Sequence, residues 1–303
     1  PTPTPPPPPP PQFDRRRQRQ MCIRDRALAD QLQQSCDAIQ VHHFPDQESC
    51  VSVPKLKEDQ LVIYLTLDHP NNKLIELMLA CETLKQQACQ ITLVAPYLCY
   101  MRQDIAFKPG DAVSQKIIGR FLAGFIDNLI TVDPHLHRTP TLLEAMPVKK
   151  AINLSSADLQ AKYAHQYHAD ALLVGPDEES KQWVSQVAQR SGLDYIIARK
   201  TRHGDRDVDI ELPDRDLAGR DTILLDDIAS TGHTLAKCAQ ALQQHQVQSI
   251  SAIVTHALFN QATEQLLADA GIQAIISTDS VQHSSNRIAL APLLANAIHD
   301  LGI

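Results

Sequence analysis

The organisation of this chain follows from one stretch, Thr222-Ile223-Leu224-Leu225-Asp226-Asp227-Ile228-Ala229-Ser230-Thr231-Gly232-His233-Thr234. Its apolar residues predict a buried strand that ends at two adjacent acids, and the residues after Thr234 have the apolar spacing of a helix. The hydroxyl-rich loop between them can direct backbone N–H groups at an anion, where the helix dipole favours negative charge. Asp226 and Asp227 cannot bind phosphate, but they can hold sugar hydroxyls or a magnesium-bound water. The stretch therefore predicts a strand, an anion-binding loop and a helix, with two carboxylates beside the loop.

Short apolar runs alternate with helix-like segments along the rest of the chain. The runs predict strands at residues 61–67, 91–95, 129–132, 172–174, 195–198, 250–254 and 274–277, in addition to 222–225. Helical spacing occurs at residues 27–36, 74–84, 116–126 and 183–187, and polar clusters follow the strands. This alternation predicts an α/β fold with parallel sheets, whose ligands bind at the carboxyl ends of the strands. The order strand, helix, strand at 61–95 recurs at 222–254, which indicates a degenerate duplication.

The composition is that of a globular protein large enough for two domains. The 303 residues include 43% hydrophobic and 21% charged residues, and the net charge of −7 argues against a nucleic-acid-binding surface. No run of about 18 apolar residues could span a bilayer. The seven cysteines form no CxxC, so neither a disulfide framework nor a zinc site is indicated, and Cys81, Cys89 and Cys238 are expected to be small buried hydrophobic residues. We therefore expect a cytoplasmic protein that binds neither nucleic acid nor a membrane.

Residues 1–26 differ from the rest of the chain. Residues 1–11 are almost pure proline, and residues 15–26 are basic without periodicity, which predicts an extended, disordered tail. We interpret this tail as an artefact that is foreign to the fold; a proline-rich ligand for a partner protein is the alternative.

The stretch around Asp226 resembles the ribose-5-phosphate loop of phosphoribosyltransferase-fold proteins. That pattern has four apolar residues, two acids, two variable residues, and then a small residue followed by Thr-Gly-x-Thr. The resemblance assigns ribose 5-phosphate binding to Asp226, Asp227, Ser230, Thr231, Gly232, His233 and Thr234. His233 stands where the family usually has a second glycine, and a positive φ angle there would be costly for histidine.

Five further clusters occur in the order found in one family. From about residue 27 to residue 303 the chain resembles ribose-phosphate pyrophosphokinases (phosphoribosyl diphosphate synthetases), nearer to their archaeal-type branch. The resemblance implies two phosphoribosyltransferase-like domains, here residues 27–150 and 151–303, each a mainly parallel sheet flanked by helices. It also implies transfer of diphosphate from ATP to ribose 5-phosphate, with Mg²⁺ as cofactor.

Two of these clusters match ATP-binding loops of the family. Phe44, Asp46 and Glu48 match a loop that grips the adenine of an ATP bound by a neighbouring subunit, which implies a homo-oligomer, a dimer or larger. Arg102, Gln103 and Asp104 match an Arg-Gln-Asp motif whose first two residues contact ATP. Without the resemblance, both clusters would be interpreted as charged surface turns.

The other three clusters match the metal site and the catalytic flap. His135 matches a histidine beside the nucleotide's magnesium, which makes it a candidate catalytic residue and metal ligand, and Asp177 matches a magnesium-binding acid. Lys200 and Arg202 match the catalytic lysine and its partner arginine on a mobile flap, and Arg202 is also assigned to ribose 5-phosphate. Because magnesium prefers oxygen, His135 could instead bind a metal-held water or a phosphate. Glu178 and Glu179 replace a usually glycine-rich loop and would repel diphosphate unless they face solvent or magnesium.

Two other functions remain open at this stage. A phosphoribosyltransferase, which consumes phosphoribosyl diphosphate, would have no use for Arg102 and Gln103 in a duplicated half. A non-catalytic regulatory homologue would be expected to lose the flap lysine or the loop acids, and both are present. The sequence therefore favours synthesis of phosphoribosyl diphosphate over these two alternatives.

Overall fold

The structure is a computed structural model that describes residues 25–303, except 56–59, 88–89, 168 and 203–207. Of residues 167, 200–202, 208 and 209 it describes the backbone only. The predicted tail lies outside the described residues except for 25 and 26, which belong to the first helix, α1 (25–32). That helix is shorter than the predicted segment 27–36. Within the described ranges, no helix is long and apolar enough to cross a membrane.

The first half of the chain forms a four-stranded parallel sheet with the order β3-β4-β5-β6. Its elements after α1 are β1 (Gln40–His43), β2 (Ser49–Ser52), β3 (Gln60–Tyr64), α2 (Pro70–Lys85), β4 (Gln90–Ala95), α3 (Ser114–Ala123), β5 (Asn128–Val132), α4 (Leu142–Ala145) and β6 (Lys150–Leu154).

The second half forms a six-stranded parallel sheet with the order β14-β13-β12-β11-β7-β8. Its elements are α5 (Ala157–Tyr167), β7 (Leu172–Gly175), α6 (Lys181–Ser191), β8 (Tyr195–Ile197), β9 (Arg199–Arg202), β10 (Val208–Glu211), β11 (Asp221–Ala229), α7 (His233–Gln244), β12 (Ser249–Ala257), α8 (Gln261–Asp269), β13 (Ala274–Thr278), β14 (Asn286–Ile288) and α9 (Ala291–Asp300).

Both sheets confirm the predicted α/β class with helices on two faces. The central strands are buried on both sides, which is why they read as continuous apolar runs in the sequence. In the second sheet, one face packs against α7 and α8 and the other against α5 and α6. The order β3-β4-β5-β6 is repeated as β11-β12-β13-β14, as expected for a duplicated unit.

Elements from both halves of the chain pack against the first sheet. One face of that sheet packs against α2 and α3, and the other packs against α1 and the final helix α9, through Leu294 and Ile298. Strand β6 pairs with β5 in the first sheet, although the predicted domain boundary between residues 150 and 151 falls within this strand. The division into 27–150 and 151–303 stays a prediction, and α9 from the second segment covers the sheet of the first.

Two predicted loops have more regular structure than expected. Residues 199–202 were expected in a charged loop, but they form β9, which pairs antiparallel with β10. Strand β11 does not end at Leu225; it continues through both acids to Ala229, because β12 beside it is equally long and its ladder extends to Ala257. Asp226 and Asp227 are therefore fixed within a strand, which restricts their backbone more than a loop would.

Candidate active site

The loop after β5 meets β11 and β12 where the two halves of the chain are in contact. His135, from that loop, places Nδ1 2.6 Å from Oδ2 of Asp227, which is 3% exposed. The imidazole also stacks on Trp183 of α6, with ring centroids 6.0 Å apart and planes at 17°. The structure therefore brings together a histidine from the first half of the chain and an acid from the second.

Electrostatics at this junction are dominated by carboxylates. Burial by itself would lower the pKa of His135, but the hydrogen bond to Asp227 and the charge of that carboxylate outweigh burial and raise it. The pKa of Asp226 is raised well above its usual range by burial, and the charges of Asp227 and Asp177 raise it further. Ionising all three acids together is therefore unfavourable, and a divalent cation would offset their mutual repulsion.

Asp177 lies in the turn between β7 and α6. Its Oδ1 accepts hydrogen bonds from the backbone N–H groups of Glu179 and Ser180, both at 3.1 Å. Glu178 and Glu179 are exposed, and Glu179 Oε1 lies 3.7 Å from Nε2 of His137. The two additional carboxylates therefore face solvent, which is one of the two arrangements that avoid repelling a diphosphate.

The carboxylates fit magnesium that arrives with a nucleotide. In phosphate-transfer sites, Mg²⁺ takes one or two protein carboxylates and completes its shell with water and substrate phosphates. Across the described ranges, no group of three or more His, Cys, Asp or Glu side chains could hold a metal by itself. Asp177, Asp226 and Asp227 supply the oxygen chemistry that such a metal prefers, without forming a closed site.

The loop between β11 and α7 has the features of an anion site. Gly232 is the N-cap of α7 with φ of 72°, and no side chain caps the helix or places an acid in its first turn. His233 is the first helical residue and has no positive φ, so the strain expected for histidine at this position does not arise. A cavity of about 600 Å³ borders Ser230, Thr231 and His233. Glycine is needed at 232 for two reasons: other residues rarely adopt this positive φ, and an added Cβ would lie 2.6 Å from the Thr263 side chain.

Comparison with known proteins agrees with this architecture. Residues 24–124 match the N-terminal domain of ribose phosphate pyrophosphokinase, and residues 142–287 match the phosphoribosyl transferase domain. The ribose-phosphate pyrophosphokinase of Methanopyrus kandleri is 30% identical over 280 residues, which cover 91% of this chain and 95% of that protein. This chain belongs to the ribose-phosphate pyrophosphokinase family.

Other relatives support the predicted archaeal-type branch and the fold. Ribose-phosphate pyrophosphokinase 2 of Archaeoglobus fulgidus is 33% identical over 255 residues, covering 84% of this chain and 89% of that protein. The crystal structure of phosphoribosylpyrophosphate synthetase from Mycobacterium smegmatis superposes with a TM-score of 0.77, covering 91% of this chain and 94% of that one at 22% identity. At that identity the superposition shows the fold alone.

The loop that carries the family's Arg-Gln-Asp motif is anchored to the His135 loop. Asp104 is buried, and its carboxylate accepts hydrogen bonds from Nη1 of Arg138 at 3.0 Å and from the Arg138 N–H at 3.2 Å. Gln103 Oε1 accepts a hydrogen bond from Ser114, and Arg102 is exposed. Asp104 therefore joins two loops, whereas Arg102 is the member of the motif that is open to a ligand.

Replacing Arg138 with alanine should lower the free energy of unfolding by about 1–2 kcal/mol, because the buried Asp104 carboxylate loses its cation. Urea denaturation measures this change. Lys149→Ala is the matched control, since Lys149 pairs with Asp127 at 2.8 Å but is 68% exposed, and its loss should cost less than about 1 kcal/mol. Equal effects of both substitutions would show that Arg138 is an ordinary surface residue.

Phe44, Asp46 and Glu48 lie at the exposed tip of the β1–β2 hairpin. The N–H of Phe44 donates to the Glu48 carbonyl at 2.8 Å, and the Glu48 N–H donates to Asp46 Oδ1 at 3.2 Å. Phe44 is 45% exposed. The tip is therefore ordered by its own hydrogen bonds and presents an aromatic ring to solvent.

Lys200 and Arg202 belong to β9, and their side chains lie outside the described part of the structure. The strand begins directly after β8, which is parallel to β7 and ends at the same edge of the sheet. Asp177 follows β7, so the β9–β10 hairpin starts at the edge that carries the candidate metal acid. Their assignment as catalytic residues stays a prediction.

The sequence analysis did not assign a role to His256, which lies two residues after the strand predicted at 250–254. His256 is 1% exposed in β12, with Nε2 3.1 Å from the Val132 carbonyl and 3.3 Å from that of Asp133. Since carbonyls only accept, Nε2 carries the proton, and Nδ1 faces the Ser280 hydroxyl at 2.8 Å. Burial lowers the pKa of His256 to about 4, although nearby Asp227 and the two carbonyls oppose the shift.

Acid should destabilise the protein through His256. Between its ordinary pKa of 6.5 and about 4, the unfolded chain binds a proton that the folded chain does not, so stability falls as the pH falls through this window. From pH 7 to pH 4.5, the wild-type protein should lose about 2 kcal/mol more than His256→Gln, which cannot titrate. Urea denaturation at both pH values tests this; parallel losses would exclude His256. The pKa of His135 is raised, so this residue contributes to the pH dependence of stability in the opposite direction. Because both proteins contain His135, that contribution cancels in the comparison.

Proposed function

We propose that this protein transfers the diphosphate group from ATP to O1 of ribose 5-phosphate. The new bond joins O1 to the β-phosphorus, the bond from that phosphorus to the α,β-bridging oxygen breaks, and AMP and one proton are released. The observation that carries the proposal is the contact between His135 of the first half and Asp227 of the second half. Asp227 belongs to β11, the strand that leads directly into the anion-binding loop. Membership of the family and the match over both of its domains support it.

The ribose 5-phosphate site would lie along β11 and the start of α7. Backbone N–H groups and hydroxyls at 230–234 bind the 5-phosphate, aided by the helix dipole at Gly232. Asp226 and Asp227 hold the ribose hydroxyls and so orient O1. Because the acids are fixed within a strand and Asp227 is bonded to His135, the sugar binds to a rigid surface.

The phosphates of ATP would lie between the metal acids and the flap. Lys200 and Arg202 close over them and stabilise charge on the oxygen that leaves with AMP. Asp177 would hold Mg²⁺, and Asp226 and Asp227 lie close enough to influence the site electrostatically. When bound, the metal would neutralise charge on the phosphates. His135 orients a metal-held water or a phosphate oxygen.

ATP would be bound from two subunits. Arg102 and Gln103 contact it from the subunit that owns the site, and Asp104 holds their loop against Arg138. Phe44, Asp46 and Glu48 contact the adenine from the neighbouring subunit, since their hairpin tip is exposed. The active protein is therefore a homo-oligomer, and we place the reaction in the cytoplasm.

The purified protein, incubated with ATP, Mg²⁺ and ribose 5-phosphate, should release AMP and phosphoribosyl diphosphate in equal amounts, measured by ion-exchange chromatography. Chelation of Mg²⁺ should abolish the reaction. Substrate binding without AMP release would indicate a non-catalytic homologue. Release of diphosphate from phosphoribosyl diphosphate and a nucleobase would instead indicate a phosphoribosyltransferase.

A further inference from the structure

The loop that carries His135 is held in an unfavourable backbone conformation. Asp133 has φ of 40° and His135 has φ of 44°, values that non-glycine residues rarely adopt. The N–H of His135 donates to the Asp133 carbonyl at 2.8 Å, which makes the turn very tight. A strained turn persists only when its surroundings hold it, so the contacts around these two residues decide where the His135 imidazole lies.

Those contacts come from β12 and from Ser156, which lies between β6 and α5. The Thr255 hydroxyl donates to Oδ2 of Asp133 at 3.1 Å, and Ser156 donates to the same oxygen from its N–H and its hydroxyl. His256 donates from Nε2 to the carbonyls of Val132 and Asp133, as described above. Two consecutive residues of β12 thus bind the turn: Thr255 binds the Asp133 side chain, and His256 binds the backbone carbonyls. Strand β12 pairs with β11, the strand that contains Asp227.

We propose that His256 is a positioning residue, which holds the turn after β5 so that His135 reaches both Asp227 and Trp183. It acts on the backbone and touches neither substrate. The β12 strand thereby links the first half's histidine to the second half's sugar-binding acids as one rigid unit. This rests on the role proposed above for His135.

Two substitutions separate this role from simple packing. In His256→Gln, the amide nitrogen occupies the position of Nε2, so the donor to the two carbonyls is kept. In His256→Asn, the amide lies near the position of Nδ1, so contact with Ser280 is kept and the donor to the turn is lost. We expect kcat to fall at least about 10-fold in His256→Asn with KM values within about threefold, and to stay within about twofold in His256→Gln.

The position of His135 can be followed without any turnover, because Trp183 is the only tryptophan in the chain. The stacked imidazole influences its emission, and His135→Ala supplies the spectrum of Trp183 without it. The emission of His256→Asn should shift towards that of His135→Ala, whereas His256→Gln should match the wild type. Should His256→Asn fail to fold in a thermal melt, Ser280→Ala, which removes the Nδ1 partner, should show the same shift in smaller degree.

Wild-type emission in His256→Asn, or in Ser280→Ala if that variant replaces it, would overturn the proposal, as would equal impairment of the Asn and Gln variants. If no variant and not even the wild type releases AMP, the proposed reaction is wrong, and the emission of Trp183 still decides whether His256 positions His135.

Discussion

Replacing Lys200 with alanine should lower kcat at least about 10²-fold, with much smaller changes in KM for either substrate. The reason is that the lysine neutralises charge that develops on the bridging oxygen only as the β-phosphorus is transferred. Placement supports this role, since β9 begins at the sheet edge where Asp177 lies. Initial rates of AMP release at saturating ATP and ribose 5-phosphate measure the change.

Arg199 provides a matched control for Lys200. It precedes the lysine in β9, carries the same charge and is exposed, so Arg199→Ala removes a cation from the same hairpin. We expect Arg199→Ala to change kcat less than about threefold, because long-range screening weakens an exposed charge that does not contact substrate. A normal kcat in Lys200→Ala would remove the lysine from the mechanism.

The parts of the fold that the sequence predicted well are those buried on both sides. Strands such as β4 and β5 lie between two helical layers, so each position is apolar and the run stands out. Strand β6 lies at the edge of its sheet, where its residues are exposed or partly buried, and β14 has only three residues. Neither has a local pattern, because each forms only where a neighbouring strand offers its edge.

The candidate site was predictable where a motif is local. The loop at 230–234 has the strand before it and the helix after it that the motif requires. Asp104 belongs to the motif that matches ATP-binding loops, and its carboxylate binds Arg138, 34 residues away in the sequence, a contact that no local spacing indicates. The structure of β12 explains why His256 had no assignment: its partners lie 123 and 124 residues earlier, and no spacing in the sequence records that distance.

Mixing two inactive variants should restore activity if the ATP site is shared between subunits. Asp46→Ala disables the hairpin tip that a subunit lends, and Lys200→Ala disables the flap of the site that it owns. In a mixed dimer, the site on the Asp46→Ala subunit has an intact flap and receives an intact tip. Random reassembly of equal amounts makes half of the dimers mixed, each with one intact site, so about one quarter of wild-type activity should return.

The structure gives this experiment its physical basis. The tip of the β1–β2 hairpin is exposed and ordered by hydrogen bonds within itself, so it is preorganised to contact a second subunit at little entropic cost. Dissociation and reassembly of the mixture, with each variant treated alone as the control, separates true complementation from residual activity. Specific activity of the wild type should also fall on dilution, as subunits separate. A monomer with full activity at nanomolar concentration would exclude the shared site and leave the transfer chemistry unaffected.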